Sequence, residues 1–374
     1  ADYFALEPSA PNYEFYPYSD AATHDVMAQG LLIGEGYPGI ARKPLYAAFL
    51  ALLHGIAGQD YTDVVILQVM VIAFLPVGLY WLAKSLHLRS SGVIAALFII
   101  LRERNALILS GTLGVSHVKL LMSDLPATLG IVLLTLVILA WLRAPDRRRI
   151  FPLISGGVLG LFLLVRPQIA VFVPVALLGI MALFLKRPRM GALNIALFSL
   201  GLGLSLVPWL WRSYQISGQF ALNDPAQNAF LTQQYSRTPG QGRLRPLPGE
   251  SQGEFSQRVD AYLSDFIVSN PGYVAAFVSS HFAHHLVEMV IALPMSPWIV
   301  QDASSDLFPY WRHQEARLWE SCCSLKAYVH TQPFWDQRFG EMSADAVVSL
   351  LINLAVLAIG LAVVLTNNGL IGWV

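Results

Sequence analysis

Acidic and basic side chains in this sequence gather in short segments between long apolar runs. Asp20, Asp25, Glu35, Arg42 and Lys43 fall in the first segment, and Glu103, His117, Lys119 and Asp124 in the second. Arg166 stands alone between two apolar runs, and Arg212 follows a further one. Ionisable groups at a membrane border are costly to keep, so their positions point to function. Carboxylates beside cations suit one chemistry well. A carboxylate takes the proton of an attacking hydroxyl or amine, while Lys or Arg stabilises a departing phosphate. A substrate with a lipid tail and a phosphate head fits such a place, its tail lying in an apolar groove.

The elements that position these residues are membrane helices. Of 374 residues, 55% are hydrophobic and 13% charged, where a soluble domain carries roughly 25% charged residues. Several apolar runs approach the roughly 20 residues that cross a bilayer core. We expect spans at 62–83, with Pro76 as a kink, and at 91–108, 125–142, 151–165, 169–185, 192–211 and 346–365. Before them, 20–36 is too polar to span; Ala22, Val26, Met27, Leu31 and Leu32 suggest a helix lying amphipathically on the surface. Residues 44–56 are apolar but short, which suits an interfacial or re-entrant helix. Pro208, Trp209 and Trp211 read as an aromatic interface belt.

Basic residues orient the spans. Lys84 and Arg89, then Arg143, Arg147, Arg148 and Arg149, then Lys186, Arg187 and Arg189 occupy alternate short loops. These loops are expected to be cytoplasmic, which places the loops bearing Asp20, Asp124, Arg166 and Arg212 outside. The polar, aromatic start and the apolar run reaching Val374 lead us to expect further segments beyond both ends. Zero net charge argues against a nucleic-acid partner. The adjacent Cys322 and Cys323 are poorly placed to bridge each other. Gly156 and Gly157 read as small residues for close span packing. The expected organisation is a first outer loop with interfacial helices at 1–61, a helix core at 62–211, an outer-face region at 212–343 and a C-terminal transmembrane segment at 344–374. In the third of these, 254–268 is expected to be helical and 273–293 an amphipathic helix on the outer face.

A resemblance makes the chemistry specific. The run from Asp20 to Tyr37, Asp-Ala-Ala-Thr-His-Asp-Val-Met-Ala-Gln-Gly-Leu-Leu-Ile-Gly-Glu-Gly-Tyr, resembles the first-loop motif of the GT-C glycosyltransferases. The closest branch is that of dolichyl-phosphate-mannose protein mannosyltransferases and lipid A aminoarabinose transferases. Lys43-Pro-Leu-Tyr46 resembles the family's Lys-Pro-Pro-Leu-Tyr, one proline shorter. Met122-Ser-Asp124-Leu-Pro126 resembles the second-loop acidic motif, which usually carries Glu. Leu164-Val-Arg166-Pro167 resembles Val-Arg-Pro, and Pro208-Trp209-Leu-Trp-Arg212-Ser-Tyr214 resembles Pro-Trp-x-x-Arg-Asn-Tyr with Ser213 for the usual Asn. Asn270-Pro-Gly-Tyr273 resembles a later His-Pro-x-x-Tyr segment. The matches keep the family's order over roughly residues 16–300.

The resemblance implies an all-α polytopic membrane protein with a GT-C-type transmembrane helix bundle. It implies a hexosyl- or pentosyltransferase that uses a polyprenyl-phosphate sugar at the non-cytoplasmic face of the plasma (inner) membrane. The acceptor is left open among protein, glycolipid and cell-envelope polymer. Asp20 is then the catalytic base, Asp124 the second acidic residue, and Lys43, Arg166 and Arg212 face the donor phosphate. Asp25, Tyr37, Arg42, Glu103, His117 and Lys119 are further candidates for substrate binding. No resident cofactor is expected, and dependence on a divalent metal is left open. His281, His284, His285 and Glu288 have helical spacing, but an interfacial helix is the simpler reading, so no metal site is assigned.

Plainer readings stand beside these. Asp20 serves equally well as a helix N-cap, and Asp25 reads first as a solvated helix residue. Lys43 and Arg166 fit snorkelling anchors, and Arg102, Glu103 and Arg104 a local ion-paired cluster. A non-catalytic scaffold or accessory subunit retaining the fold is the rival function.

Overall fold

A computed structural model describes residues 17, 19–109, 116–143, 145, 150–222, 244–272, scattered positions between 274 and 293, and 344–366. Among the described residues the main elements are helices. In chain order they form α1 (Ser19–Leu32), α2 (Pro44–Ala57), α3 (Tyr61–Ile72), α4 (Phe74–Leu86), α5 (Arg89–Leu109), α6 (Asp124–Leu142) and α7 (Phe151–Val165). A short 3-10 turn (Pro167–Val171) then leads to α8 (Phe172–Leu183), α9 (Pro188–Ser217), α10 (Gln252–Ser269) and α11 (Ala344–Thr366). Tyr61–Leu86, Asp124–Leu142 and Pro188–Ser217 are long and apolar enough to cross a membrane. Trp81, Leu97, Leu133, Leu204 and Val207 are exposed on the outsides of these helices and of α5, a density that water does not tolerate but lipid does. These features give a helical membrane protein.

Local chemistry sets the helix ends. Proline opens α2, α7 and α9 within their first two positions, where its missing N–H costs nothing. The expected kink at Pro76 appears as a break at Ala73, between α3 and α4. A proline ring clashes with the carbonyl four residues earlier, here that of Ile72. In α10 Ser251 and Glu254 form a reciprocal capping box, which satisfies two otherwise orphaned donors.

The chain divides into two compact units: residues 1–100 with 116–223, and residues 101–115 with 224–374. The division differs from the sequence boundaries at 61 and 211. The helices of the first loop belong to the first unit's core because Tyr46, Leu50 and Leu53 of α2 are buried with Val64 of α3 and with Leu159 and Leu163 of α7. In the second unit, the Arg258 guanidinium of α10 donates to both Glu250 carboxylate oxygens at 2.7 Å and to the Arg245 carbonyl. The four-residue histidine and glutamate group at 281–288, most of the expected amphipathic helix at 273–293, and Cys322 and Cys323 lie outside the described residues.

Two features of the first unit position its polar end. The helix α6 rises about 28 Å over its 19 residues, so its ends belong to opposite faces of the bundle. Asp124 starts it, and Arg143, just past its last turn, donates to the Ser85 carbonyl at the end of α4. The basic residues Lys84 and Arg143 therefore sit at the end away from Asp124. The second feature is the close approach of α7 and α9. A Cβ on Gly156 would lie 1.9 Å from the Phe198 carbonyl oxygen, and one on Gly201 would lie 2.0 Å from the Leu153 carbonyl oxygen. Small residues are what let two apolar helices approach so closely and gain dispersion energy without a hydrophobic drive from water. Gly157 differs, since its added Cβ would meet nothing nearer than 3.7 Å. Gly156→Ala is therefore expected to destabilise the chain in detergent by about 1–3 kcal/mol. Gly157→Ala should stay within about 0.5 kcal/mol of wild type, as read from parallel unfolding curves.

Candidate functional site

The polar end of the first unit is built from the α1–α2 hairpin, the loop before α6 and the α7–α8 junction. The sequence expectation of an amphipathic α1 fails in its register. Val26 and Leu32 are exposed, while Ala21, His24, Asp25, Met27 and Ala28 are buried. The face turned inward is thus the one that carries His24 and Asp25, and it combines their polar contacts with the apolar packing of Ala21, Met27 and Ala28.

Lys43 is the hub of the first cluster. It is the one non-glycine residue with positive φ among the described residues, at φ 51° and ψ 56°. That left-handed conformation costs an L-residue roughly 1–2 kcal/mol. Its carbonyl accepts from Tyr46 and Ala47 N–H, so the strained residue also starts α2. Lys43 Nζ lies 3.4 Å from His24 Nε2. Burial pushes the ammonium below its usual range; Asp124 opposes this, Arg166 reinforces it, and Asp20 and Arg42 act likewise with opposite signs. Those four side chains thus surround Lys43. Arg166 pairs directly with Asp124, and Arg42 approaches Asp20 at 4.0 Å, with the Asp20 side chain 53% exposed. His24 is held neutral, its pKa pushed down to about 3 by burial first and then by the charges of Lys43 and Arg42. Its Nδ1 is buried without a hydrogen-bond partner among the described residues.

Other residues brace the cluster. Arg212 donates to the carbonyls of Tyr37 and Gly39, each at 2.8 Å, and its guanidinium lies over the rings of Trp209 and Tyr37. Tyr37 in turn donates to the Pro44 carbonyl at 2.7 Å. The fork of Arg212 therefore clamps the 33–43 loop, and Tyr37 ties that loop to α2. Trp209, expected in an aromatic belt, is buried in this packing, whereas Trp211 is exposed.

The structure groups Asp20, Arg42, Lys43, Asp124 and Arg166. Arg212 and Tyr37 support them from the loop. His117 is buried and Lys119 exposed in the segment before α6. Glu103 belongs to the second unit, where Arg102 pairs with it at 3.2 Å. Asp25 is not the solvated residue expected. It has no exposed surface; its carboxylate accepts from His54 Nε2 at 2.8 Å and from the Tyr61 hydroxyl at 2.7 Å. Asp20 lies in the first turn of α1, so it also favours the helix dipole. Among the described residues no group of His, Cys, Asp and Glu is placed to hold a metal ion.

Sequence reasoning passed over His24, His54 and Gln68. The signal was present for the last two, since each is a lone polar residue in an apolar helix, where polar groups are expensive. Buried Gln68 of α3 accepts from Tyr46 OH at 3.1 Å and donates to the carbonyls of Val118 and Leu120 at 2.9 and 2.8 Å. It thereby fixes the loop that delivers Asp124. No family model, curated protein or solved structure matches the chain.

Gln68→Leu removes both donors from the loop carbonyls, and a buried acceptor left short of donors costs about 1–3 kcal/mol. Gln68→Glu keeps the shape but not the donors. Both variants should lose stability and expose residues 116–123 to faster amide exchange, with Gln68→Glu no better than Gln68→Leu. A Gln68→Glu chain as stable as wild type would contradict this role.

Proposed function

We propose that this chain is a GT-C-type membrane glycosyltransferase that moves a monosaccharide from a polyprenyl-phosphate donor to an acceptor at the non-cytoplasmic face. The observation that carries the reading is the position of Lys43. A strained, desolvated ammonium at the start of α2 sits among Arg42, Arg166, Asp20 and Asp124, and Arg143 marks the opposite end of α6. Basic loops favour the cytoplasm, so the Lys43 end faces outward, where a lipid-linked sugar meets its acceptor.

The chemistry follows from the residue types. Asp20 is exposed enough to meet an acceptor. Its carboxylate takes the acceptor's hydroxyl proton as the acceptor oxygen bonds to the anomeric carbon. The bond from that carbon to the phosphate oxygen breaks, and its electron pair leaves with the polyprenyl phosphate. Attack opposite the leaving group inverts the anomeric centre. Lys43 and Arg166, with Arg42 beside them, stabilise the phosphate's growing charge. Asp124 holds Arg166 and balances the cations while the site is empty. The exposed apolar flanks of the helices suit the lipid tail.

A non-catalytic subunit retaining the same fold is favoured by one observation: Asp124 is already neutralised by Arg166, as a purely structural pair would be. Activity separates the two readings. In cells lacking the gene, wild-type chain should restore one missing glycan or glycolipid species seen by mass spectrometry. Asp20→Asn should cut transfer by about 100- to 10,000-fold, the usual worth of a general base, with the protein still present in the membrane. Full restoration by Asp20→Asn would remove the catalytic assignment.

A further inference from the structure

Asp25 and His54 lie apart from the Lys43 cluster, and the proposed transfer makes no use of them. Both side chains have no exposed surface. His54 Nε2 meets Asp25 Oδ1 at 2.8 Å, and His54 Nδ1 meets the Gly58 carbonyl oxygen at 2.9 Å. The second carboxylate oxygen, Oδ2, accepts from Tyr61 OH at 2.7 Å. The Tyr61 ring stands edge-on to the imidazole, with centroids 5.5 Å apart.

Proton bookkeeping decides the state of this group. A neutral imidazole has one N–H, but here both ring nitrogens face oxygens. The Gly58 carbonyl can only accept, so Nδ1 carries a proton. Between Nε2 and Oδ1 there must be a second one. Tyr61 already donates to the other oxygen of the same carboxylate, and an imidazolium donates from both ring nitrogens at once, which puts that second proton on the ring. A buried carboxylate also demands a countercharge, and His54 is the cation in direct contact with it.

We infer that His54 is an imidazolium locked to the Asp25 carboxylate, and that this buried ion pair is the latch that positions α1, and with it Asp20 and His24, against α2. Three elements meet at the latch: Asp25 from α1, His54 from the last turn of α2, and Tyr61 from the first residue of α3. The Gly58 N–H caps the His54 carbonyl at 2.8 Å while the Gly58 carbonyl holds the ring, so the α2–α3 turn is fixed by the same residue. Asp25 and His24 are neighbours on α1, about 100° apart around the helix axis. One points to His54 and the other to Lys43. A shift of α1 that breaks the first contact therefore moves the second.

The latch is sensitive to alkali. Hydrogen bonding to Asp25 raises the His54 pKa above 6.5, burial opposing it. A group raised on folding gives its full stabilisation below the unfolded value and loses it as pH climbs through the folded value. The other titratable groups near it are few. On α1 they are Asp25 and His24, on α2 the buried Tyr46, whose hydroxyl feels the Asp25 charge, and on α3 Tyr61 and Asp63, with Asp60 capping that helix. The helix α7, also packed on α2, has no titratable side chain. This inference stands on geometry and holds whatever reaction the Lys43 cluster performs.

Histidine-ring nitrogen NMR of the full chain in lipid bilayers tests it, with His54→Gln assigning the resonances. At pH 7 both His54 nitrogens should carry protons, and one should be lost as the pH climbs above that. Amide exchange in α1 should then rise by about tenfold or more, while α9 stays protected. Asp25→Asn should bring the fast α1 exchange, with a neutral His54, already at pH 7. A singly protonated His54 at pH 7 overturns the inference, and so does α1 exchange indifferent to the loss of the proton. The wild-type measurements decide the matter even if Asp25→Asn does not fold, and none of them depends on sugar transfer.

Discussion

A carboxylate with no access to water must be given a countercharge and hydrogen bonds, because leaving a charge buried and unpaired costs several kcal/mol. Asp25 meets that demand by drawing on two other helices, His54 from α2 and Tyr61 from α3. The demand therefore organises the polar end of the first unit. It acts on the same face of α1 that buries Ala21, Met27 and Ala28, while Val26 and Leu32 stay exposed. It also fixes the turn at Gly58, whose φ of 79° suits glycine.

The same principle runs outward from this point. Lys43 accepts a left-handed backbone at the start of α2 and sits between carboxylates and arginines that hold its charge in check. Arg212 spends its donors on loop carbonyls, and Gln68 spends its amide on the loop before α6. Each is a polar group near an apolar interior, and each is satisfied by backbone that would otherwise lack partners. The loops are thereby tied to the helices that frame them. Loops held this way are what a site at a membrane surface needs, because holding reacting groups in place accounts for much of any rate enhancement.

The apolar part of the bundle obeys a different rule. Lipid gives no hydrophobic push between helices, so α7 and α9 approach through glycines until backbone touches backbone. Beside them α6 runs from Asp124 at one end to Arg143 just past the other. The separation of the Lys43 cluster from the basic end is thus a property of helix length, and the proposed orientation in the membrane follows from it.

How much of this was legible depended on whether the signal was local. Composition and apolar run length gave a helical membrane protein, and proline and apolar limits placed the helices at 44–57, 124–142 and 151–165 within a residue or so. Charge placement picked out a wider set that included Asp20, Asp25, Arg42, Lys43, Asp124, Arg166 and Arg212, because an ion near lipid is conspicuous in sequence. The motif resemblance put Asp20, Asp124, Lys43, Arg166 and Arg212 ahead of the rest. The tertiary structure alone decided that Asp25 is buried rather than solvated, that Arg212 and Tyr37 brace a loop, and that Gln68 carries the segment before Asp124. Each of those outcomes rests on a partner 7 to 175 positions away, and a hydrogen bond is written in the sequence only as two separate polar residues. Their meeting is set by the packing of helices whose apolar faces carry no record of which polar group will be opposite.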